Sequence, residues 1–526
     1  MPEMKIWLRK HKYFIGICIL MAVIHIGLIF AYGMQKEGFH EDELFSFTTS
    51  SGIKYFTPKE NYIWKTGYQI QQEFMVVEGE EFSFGEVIQN QAEDVHPPLF
   101  YLVLNVVMSL LPNHFYKWFG IGINLLFSLI TYVAVLYFFY RLDKSGQNTT
   151  YALIAGAVYA ISPVTISNIM LVRMYALSSM WTMLYACLFL VLIQDYYCSK
   201  KRFGVYIVSG ALICYLAFLT HYFALLLPFF FTLGYCIYAL LQKKNILRML
   251  CYGISMVAAI ALAIVTYPAS WQHIFHGYRG EGVFDSLSSP ELFGTTKNFL
   301  GILNEYMFAS MLPICAIITF LALVVGLAKV LQFKAISTVG GKKMLYCLTV
   351  SLIGCVLTTY FLTRSALLVG EASCRFFYPV MVLFLPLMAY CVCKGFYGLI
   401  KDGLTKNEKL VQYALPVLAL IVMIPAIVGF VQGNVLFLYK DSAEKKAMIQ
   451  EYQQYPAIMV FDSNAPYRSW YVADQLWLFS QVFYLDSQHF QAEFQDATIQ
   501  SAEKLVVYVD APPEYLEKLK IMNPKL

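Results

Sequence analysis

The stretch YFIGICILMAVIHIGLIFAY, residues 13–32, decides the fold class of this chain. It contains no Asp, Glu, Lys or Arg, and about 20 consecutive apolar residues are long enough to span a bilayer as a helix. The basic residues Lys5, Arg9, Lys10 and Lys12 precede it. No convincing small-residue cleavage site follows it, so we expect a retained first helix whose basic end faces the cytoplasm.

The composition of the whole chain points the same way. Of its 526 residues, 59% are hydrophobic and only 14% are charged, whereas soluble domains carry about 25% charged residues. The formal net charge of +4 gives no support to a nucleic-acid partner. The twelve cysteines lie mostly inside apolar runs and form no Cys-x-x-Cys pair. They therefore indicate apolar packing rather than a disulfide framework or a zinc site.

Further apolar stretches follow the first one at regular intervals. They cover residues 97–112, 117–140, 150–167, 174–194, 203–220, 223–241, 247–267, 299–331, 344–363, 376–400 and 411–432. Alternate connections between them are basic, which the positive-inside rule assigns to the cytoplasm. An inside N-terminus and an outside tail require an odd number of crossings. The short, proline-flanked stretch 97–112 is therefore expected not to cross fully, unless one basic loop is misplaced. The sequence predicts a polytopic α-helical membrane protein with about eleven crossings.

Two regions have the composition of soluble protein. Loop 34–96 holds twelve acidic residues against four basic ones, and its segment 84–93 is expected to form a short amphipathic helix on the membrane surface. The tail, residues 433–526, follows a membrane domain predicted at 1–432. Its runs 457–461 and 505–509 read as strands, with a helical stretch at 465–482, so the tail is predicted to be a small extracytoplasmic α/β domain.

The carboxylate cluster His40-Glu41-Asp42-Glu43 lies near the start of the polar loop. Charge at a membrane edge is costly unless it has a partner or a function. A carboxylate at such a place can take a proton from a hydroxyl group or hold a metal ion through oxygen ligands. The alternative interpretation is the solvated start of a loop.

Two more outward-facing motifs carry polar side chains. Asp94 and His96 lie at the far end of the same loop, which can fold back toward the carboxylates, although either residue could instead cap the helix that follows. Arg173 and Tyr175 belong to the next outward connection. An arginine in apolar sequence needs an anionic partner or an interface position, and a phosphate explains Arg173 better than snorkelling if Tyr175 lies beside it.

Two further residues extend this set. His221 lies at an outward turn between two apolar runs, where a packed polar residue is the alternative to a ligand. Arg375 begins a late helix and adds a cation to a side that is otherwise poor in cations. Carboxylates, histidines and isolated arginines thus all map to one side of the membrane. This layout suits an anionic, lipid-borne donor held by cations beside a carboxylate that activates an acceptor.

These motifs, in this order, resemble a known family. The matching residues are Asp42-Glu43, Asp94-Val95-His96-Pro97-Pro98-Leu99, Arg173-Met174-Tyr175-Ala176-Leu177, Thr220-His221-Tyr222 and Arg375. Over roughly residues 10–400, the chain resembles the bacterial branch of the GT-C membrane glycosyltransferases. That branch is glycosyltransferase family 39-like and is related to protein O-mannosyltransferases and aminoarabinose lipid A transferases.

The resemblance implies inverting transfer of a sugar from a polyprenyl-phosphate donor, without a nucleotide sugar. It gives roles to Asp42 as the catalytic carboxylate, Glu43 as its support, Arg173, His221 and Arg375 at the donor phosphate, Tyr175 in substrate binding, and Asp94 and His96 around Asp42. The acceptor would be a hydroxyl group of a protein, a lipid or a cell-wall glycan at the outer face of a bacterial plasma membrane. A divalent metal stays open, because metal dependence varies across the superfamily. The alternative function is a transporter or flippase for a lipid-linked or small anionic substrate.

Overall fold

The computed structural model of the protein describes residues 11–52, 61–143, 146–242, 245–276, 282, 292–332, 339–401, 407–489 and 496–510. Within these ranges the helices are α1 (Lys12–Met34), α2 (Glu41–Ser50), α3 (Gly67–Gln72), α4 (Phe84–Glu93), α5 (Leu99–Ser109), α6 (Lys117–Leu142), α7 (Asn148–Ala160), α8 (Pro163–Met170), α9 (Tyr175–Gln194), α10 (Lys200–Phe218), α11 (Leu226–Leu241), α12 (Ile246–Thr266), α13 (Ala269–Phe275), α14 (Leu292–Phe308), α15 (Leu312–Gln332), α16 (Val339–Ser365), α17 (Tyr378–Leu399), α18 (Glu408–Val431), α19 (Ser442–Tyr452), α20 (Ala473–Leu476) and α21 (Ala497–Ser501). Short 3-10 helices cover Tyr222–Leu225, Ala372–Phe377 and Pro466–Val472, and the strands are β1 (Ile63–Thr66), β2 (Ala457–Phe461), β3 (Gln481–Asp486) and β4 (Val506–Val509). The N-terminal basic residues Lys5, Arg9 and Lys10, residues 53–60 of the predicted loop and residues 511–526 of the predicted tail lie outside the described ranges.

The apolar stretches form helices because a chain in lipid must satisfy its backbone hydrogen bonds within each segment. In the described part, nine helical segments are long and apolar enough to cross a membrane. Two bent pairs, α7–α8 with a bend of 49° and α14–α15 with one of 83°, raise the number to eleven if each pair is one span. The predicted polytopic helical class with about eleven crossings is confirmed.

The stretch predicted not to cross, 97–112, contains only the 11-residue helix α5. At 1.5 Å per residue this helix is about 16 Å long, roughly half the thickness of the hydrocarbon core. Its side chains Phe100, Tyr101 and Leu104 are buried, and α5 packs against α2, α4 and α6. We therefore treat α5 as part of the soluble cap over the bundle rather than as a span.

A four-stranded sheet joins the first loop to the tail. The strand order is β1-β3-β2-β4. Strand β2 pairs in parallel with β3 and β4, whereas β1 pairs antiparallel with β3, with Ile63 opposite Tyr484 and Thr66 opposite Gln481. Because β1 comes from the loop and the other strands come from the tail, the α/β unit predicted at 433–526 extends into loop 34–96.

The shared sheet also fixes the relative sides of the two soluble regions. Hydrogen-bonded strands must lie on the same side of a membrane, so an even number of crossings separates β1 from β2. The helices α6 to α18 supply that even number when each bent pair counts as one span. Adding α1 makes the total number of spans odd, as the sequence predicts for an inside N-terminus and an outside tail.

The elements predicted for the soluble regions are found with one exception. Helix α4 covers residues 84–93 as predicted, and strands β2 and β4 lie in the two predicted runs, 457–461 and 505–509. The helical prediction for 465–482 was too long. This segment forms a 3-10 helix and the one-turn helix α20, and its last residues already belong to β3, because the core of the sheet takes up Val482 and its apolar neighbours.

The end of the bundle opposite the sheet carries basic side chains. Lys394 forms an ion pair with the buried Asp143, and Lys343 donates to the carbonyl oxygen of Gln194 at 2.8 Å. Arg141 donates to the side chain of Gln194 at 3.1 and 3.2 Å. Helix α9 runs about 30 Å from Tyr175 to this end, so the basic end and the polar loop lie at opposite ends of the bundle.

Candidate active site

Helix α2 begins within the carboxylate cluster and has a complete N-terminal cap. The Asp42 amide donates to Nδ1 of His40 at 3.1 Å, and the His40 amide donates to the Glu43 carboxylate at 2.8 Å. This reciprocal pair is a capping box, with histidine in the position usually held by serine or threonine. Glu41, Asp42 and Glu43 thereby occupy the first helical turn, where the helix dipole stabilises negative charge.

Asp42 lies between two arginines that come from distant parts of the chain. Arg375 Nη2 is 3.1 Å from Oδ2 of Asp42, and Arg173 Nη2 is 3.6 Å from Oδ1. The side chains of Arg173 and Arg375 are only 3% and 7% exposed, against 17% for Asp42. Burial alone would raise the pKa of Asp42, but the two guanidinium groups hold that pKa well below its usual range. Asp42 is therefore a carboxylate anion at neutral pH.

The loop that carries Arg173 is fixed from two sides. Asn124 on α6 donates to the carbonyl oxygens of Ile169 and Leu171 at 3.2 and 2.8 Å. The Val172 amide donates to Oε1 of Glu43 at 2.9 Å. This last bond ties the short connection between α8 and α9 directly to the start of α2, so it sets the position of Arg173 relative to Asp42.

The carboxylate of Glu43 is enclosed by other residues of the protein. Its side chain is fully buried, and Oε2 lies 2.9 Å from Nζ of the equally buried Lys36. Lys36 also donates to the carbonyl oxygen of Phe437 at 2.6 Å. With bonds from Lys36, His40 and Val172, both oxygens of Glu43 are engaged. Glu43 therefore positions the start of α2 and the loop that carries Arg173, and its supporting role in the reaction stays a prediction.

Asp94 and His96 form a chain of contacts that ends at Arg173. Nδ1 of His96 is 2.7 Å from Oδ2 of Asp94, and Nε2 of His96 is 3.3 Å from Nη2 of Arg173. Burial lowers the pKa of His96, which leaves a neutral ring. That ring donates from Nδ1 to Asp94 and accepts at Nε2 from Arg173. Asp94 and His96, which were predicted to lie around Asp42, are thus connected to it by the guanidinium group of Arg173.

His221 and Tyr175 form an aromatic wall beside these residues. The His221 ring stacks with His96 at 6.3 Å between centroids and lies 5.5 Å from the ring of Tyr175. Tyr175 in turn contacts the ring of Phe376, the neighbour of Arg375, at 6.0 Å. The structure thus brings all eight residues predicted from the sequence into one cluster, which we call the two-arginine site: Asp42, Glu43, Asp94, His96, Arg173, Tyr175, His221 and Arg375.

Several buried donors of this site have no partner within the described residues. The Nε atoms of Arg173 and Arg375 and Nδ1 of His221 are buried without a hydrogen bond. Leaving a buried donor unpaired costs about 1–3 kcal/mol, and more for a charged group. Two of these atoms are Nε–H groups of the arginines that contact Asp42, and within the described residues they indicate a site made to receive an anionic or strongly accepting group.

The arrangement does not fit a divalent metal. Among the described residues, no three His, Cys, Asp or Glu side chains are grouped so that they could hold a metal ion. The Nη2 atom of Arg173 lies 3.6 Å from Oδ1 of Asp42 and 3.3 Å from Nε2 of His96, two of the possible ligands. A guanidinium cation therefore occupies the position between them, and no catalytic step is assigned to a metal.

Sequence reasoning missed Lys36, His40 and the aromatic side chains of the tail. Lys36 looked like an ordinary loop residue, and its buried partner is seven residues away without helical spacing. His40 could have been found from its position three residues before Glu43, the spacing of a capping box. The tail covers α2 through Tyr467 and Trp470, whose rings lie 6.1 and 5.8 Å from that of Phe45. No local signal predicts such a long-range contact.

The fold and the site define a class: a polytopic helical membrane protein with a buried, charged site under a soluble cap. No protein-family model and no curated protein matches the chain. It is similar to the structure of ArnT from Cupriavidus metallidurans in the apo state, with a TM-score of 0.49, 12% sequence identity, and coverage of 85% of this chain and 83% of that one. It is also similar to the apo structure of the Archaeoglobus fulgidus oligosaccharyltransferase, with a TM-score of 0.46, 11% identity, and coverage of 92% and 65%.

A second structure of the archaeal enzyme, tethered with an acceptor peptide that contains the NVT sequon, has a TM-score of 0.44 at 12% identity and coverage of 89% and 64%. The chain therefore spans about two thirds of the length of the oligosaccharyltransferase. At these TM-scores and identities, the likeness carries no argument about substrates or catalytic residues.

Proposed function

We propose that this protein is a membrane glycosyltransferase that moves a sugar from a polyprenyl-phosphate donor to the hydroxyl group of an acceptor. The reaction would take place at the side of the membrane that carries loop 34–96 and the tail, which the positive-inside rule makes the outer face of a plasma membrane. The acceptor would be a protein, a lipid or a cell-wall glycan.

One observation carries the proposal: Asp42 is flanked by two buried arginines, and the Nε–H of each has no hydrogen-bond partner among the described residues. Arginine presents several donors in a planar fork that matches a phosphate. Burial in a membrane protein restricts the approach of small hydrated anions, whereas a phosphate carried by a lipid arrives from the bilayer itself. A carboxylate beside such cations is placed to contact the second substrate.

In the proposed reaction, the acceptor oxygen attacks the anomeric carbon on the face opposite the phosphate. A new carbon–oxygen bond forms, and the bond between the anomeric carbon and the phosphate oxygen breaks. Its electron pair goes to polyprenyl phosphate, whose added negative charge Arg173 and Arg375 stabilise. The acceptor proton goes to Asp42, and the configuration inverts in a single displacement, as in inverting glycosidases.

The charge balance around Asp42 explains why this carboxylate would act only with the donor in place. Two guanidinium groups lower the pKa of Asp42 and make it a weak base. A bound phosphate would compete for Arg173 and Arg375 and would thereby raise the basicity of Asp42. Acceptor activation would then depend on donor binding, which limits wasteful reaction with water.

The proposal is tested with purified protein in sealed proteoliposomes that contain polyprenyl phosphate linked to a radiolabelled sugar. A bacterial envelope fraction supplies protein, lipid and glycan acceptors together. We expect the label to appear in a new covalent product, with release of polyprenyl phosphate. Movement of the label across the vesicle membrane without any covalent product would refute the proposal and favour the transporter.

A further inference from the structure

His40 has more contacts than a helix cap needs. Its Nδ1 atom accepts the Asp42 amide at 3.1 Å, and its Nε2 atom lies 3.4 Å from Nη1 of Arg375. Both ring nitrogens therefore face N–H groups, and Nδ1 also lies 3.5 Å from Oδ2 of Asp42. The side chain is 13% exposed, so water has little access to either nitrogen.

A neutral imidazole has one donor and one acceptor, so one of these two contacts joins two donors. Burial, together with Arg375, Arg173 and Lys36, outweighs the opposing effect of Asp42 and lowers the pKa of His40 to about 4, so the ring is neutral at physiological pH. The shorter contact belongs to the capping box with Glu43, which makes Nδ1 the acceptor. Nε2 therefore carries the hydrogen and points it at a guanidinium group.

The His40 ring packs against two aromatic side chains. It lies 6.0 Å from the ring of Phe437, edge to face, and 6.4 Å from that of Tyr439. Both residues belong to the first part of the tail, directly after the last span, and Phe437 is buried. His40 Nε2 is thus held beside Arg375, whose Nε atom is itself buried without a partner.

Two donors 3.4 Å apart can share one oxygen, since each needs an N···O distance of about 2.9 Å. We propose that His40 Nε2 donates a hydrogen bond to an oxygen of the same anionic group that Arg375 binds. This inference rests on the function proposed above, under which the group is the phosphate of the polyprenyl donor. His40 would then be a phosphate-binding residue that the sequence motifs do not include.

The test uses two substitutions that separate the cap from the Nε2 donor. His40→Asn keeps a side-chain acceptor for the Asp42 amide, and asparagine is among the best N-cap residues, but its amide is too short to replace Nε2. His40→Gln places an amide N–H farther out, near the position of Nε2, with a weaker cap. His114→Asn, at an exposed histidine of the same side, is the matched control.

The measurement is the affinity of the full-length purified protein for polyprenyl phosphate. Inorganic phosphate and unphosphorylated polyprenol serve as separate ligands, so that recognition of the headgroup is distinguished from recognition of the lipid. We expect His40→Asn to leave the melting temperature of the free protein unchanged and to weaken binding of polyprenyl phosphate about 10- to 100-fold, the value of a hydrogen bond to a charged group. His40→Gln should recover part of that loss, and His114→Asn should bind like the wild type.

Wild-type affinity in His40→Asn would overturn the inference and leave the proposed function standing. If the wild-type protein itself binds neither polyprenyl phosphate nor inorganic phosphate, the proposed function fails, and this inference fails with it. Recovery of affinity by His40→Gln would show that the effect arises at Nε2, because a defect of the cap alone would be worse in this variant.

Discussion

Neutralising Glu43 tests whether this residue positions the site or takes part in the reaction. In the wild type, its two oxygens accept from Nζ of Lys36, the amide of His40 and the amide of Val172. The amide nitrogen of Glu43→Gln cannot accept, so at least one of these buried donors loses its bond. Lys36 meanwhile keeps its charge but loses the carboxylate that compensates it in the wild type.

The expected loss of stability in Glu43→Gln follows from these contacts. Removing one partner of a buried ion pair costs about 3–5 kcal/mol, because the remaining charge is left uncompensated. The structure links this loss to Arg173 through the bond to Val172, so we expect Glu43→Gln to lower both the melting temperature and the rate of sugar transfer. The double variant Lys36→Met with Glu43→Gln removes the buried charge and should recover most of the stability.

Two assays on the same preparations decide the role: the melting temperature in detergent and the rate of transfer of labelled sugar. A positioning role predicts that the double variant regains activity together with stability. A double variant that is as stable as the wild type but has no activity would refute this reasoning, because it would show that the Glu43 carboxylate itself is needed for the reaction.

Three other predictions test separate parts of the structure. Arg173→Lys keeps the charge but loses the fork that reaches Asp42, His96 and Ser46, so binding of polyprenyl phosphate should weaken about 10- to 100-fold; unchanged affinity would remove Arg173 from the phosphate site. The pKa of His40 is about 4 in the folded protein against an ordinary value of 6.5. Between pH 4 and pH 6.5, the unfolded chain therefore binds more protons at this residue than the folded protein does. Stability should therefore fall as the pH drops from about 6.5 to about 4, by about 3 kcal/mol from this group. The melting temperature of His40→Asn should fall less over that range. An equal fall of the melting temperature in the wild type and in His40→Asn would contradict the lowered pKa of His40. Trp64→Ala removes the bond to Asp496 at 2.9 Å and the contact with Phe483, so limited proteolysis should cut the tail faster, whereas equal resistance would argue against a sheet shared with the first loop.

Much of the membrane fold could be predicted from the sequence, because a membrane span requires a long run of apolar residues that is visible in the composition. The run at 13–32 and its successors are apolar on all sides, and the basic residues at alternate connections mark their ends. The short stretch 97–112 was recognisable from its length and its flanking prolines. Strands β2 and β4 were recognisable because each is a compact apolar run that ends in an aspartate.

The remaining features depend on contacts between distant segments. Nothing in the four residues Ile63–Thr66 indicates that they add a strand to the sheet of the tail more than 400 residues later. The ion pair of Glu43 with Lys36 could not be predicted, because its burial requires the segment around Phe437 to cover it. For the site, ionisable residues within apolar sequence gave a strong signal, whereas His40 lay inside a polar stretch where it did not stand out.

If Asp42 serves the acceptor while the two arginines serve the donor, a single variant separates these roles. Asp42→Asn removes the carboxylate that now lies 3.1 Å from Arg375 and 3.6 Å from Arg173, which frees both guanidinium groups for a phosphate. We predict that Asp42→Asn binds polyprenyl phosphate at least as tightly as the wild type while sugar transfer falls by about 10²–10⁴-fold, the value of a positioned general base. Transfer at the wild-type rate in an Asp42→Asn protein that binds polyprenyl phosphate normally would contradict the account.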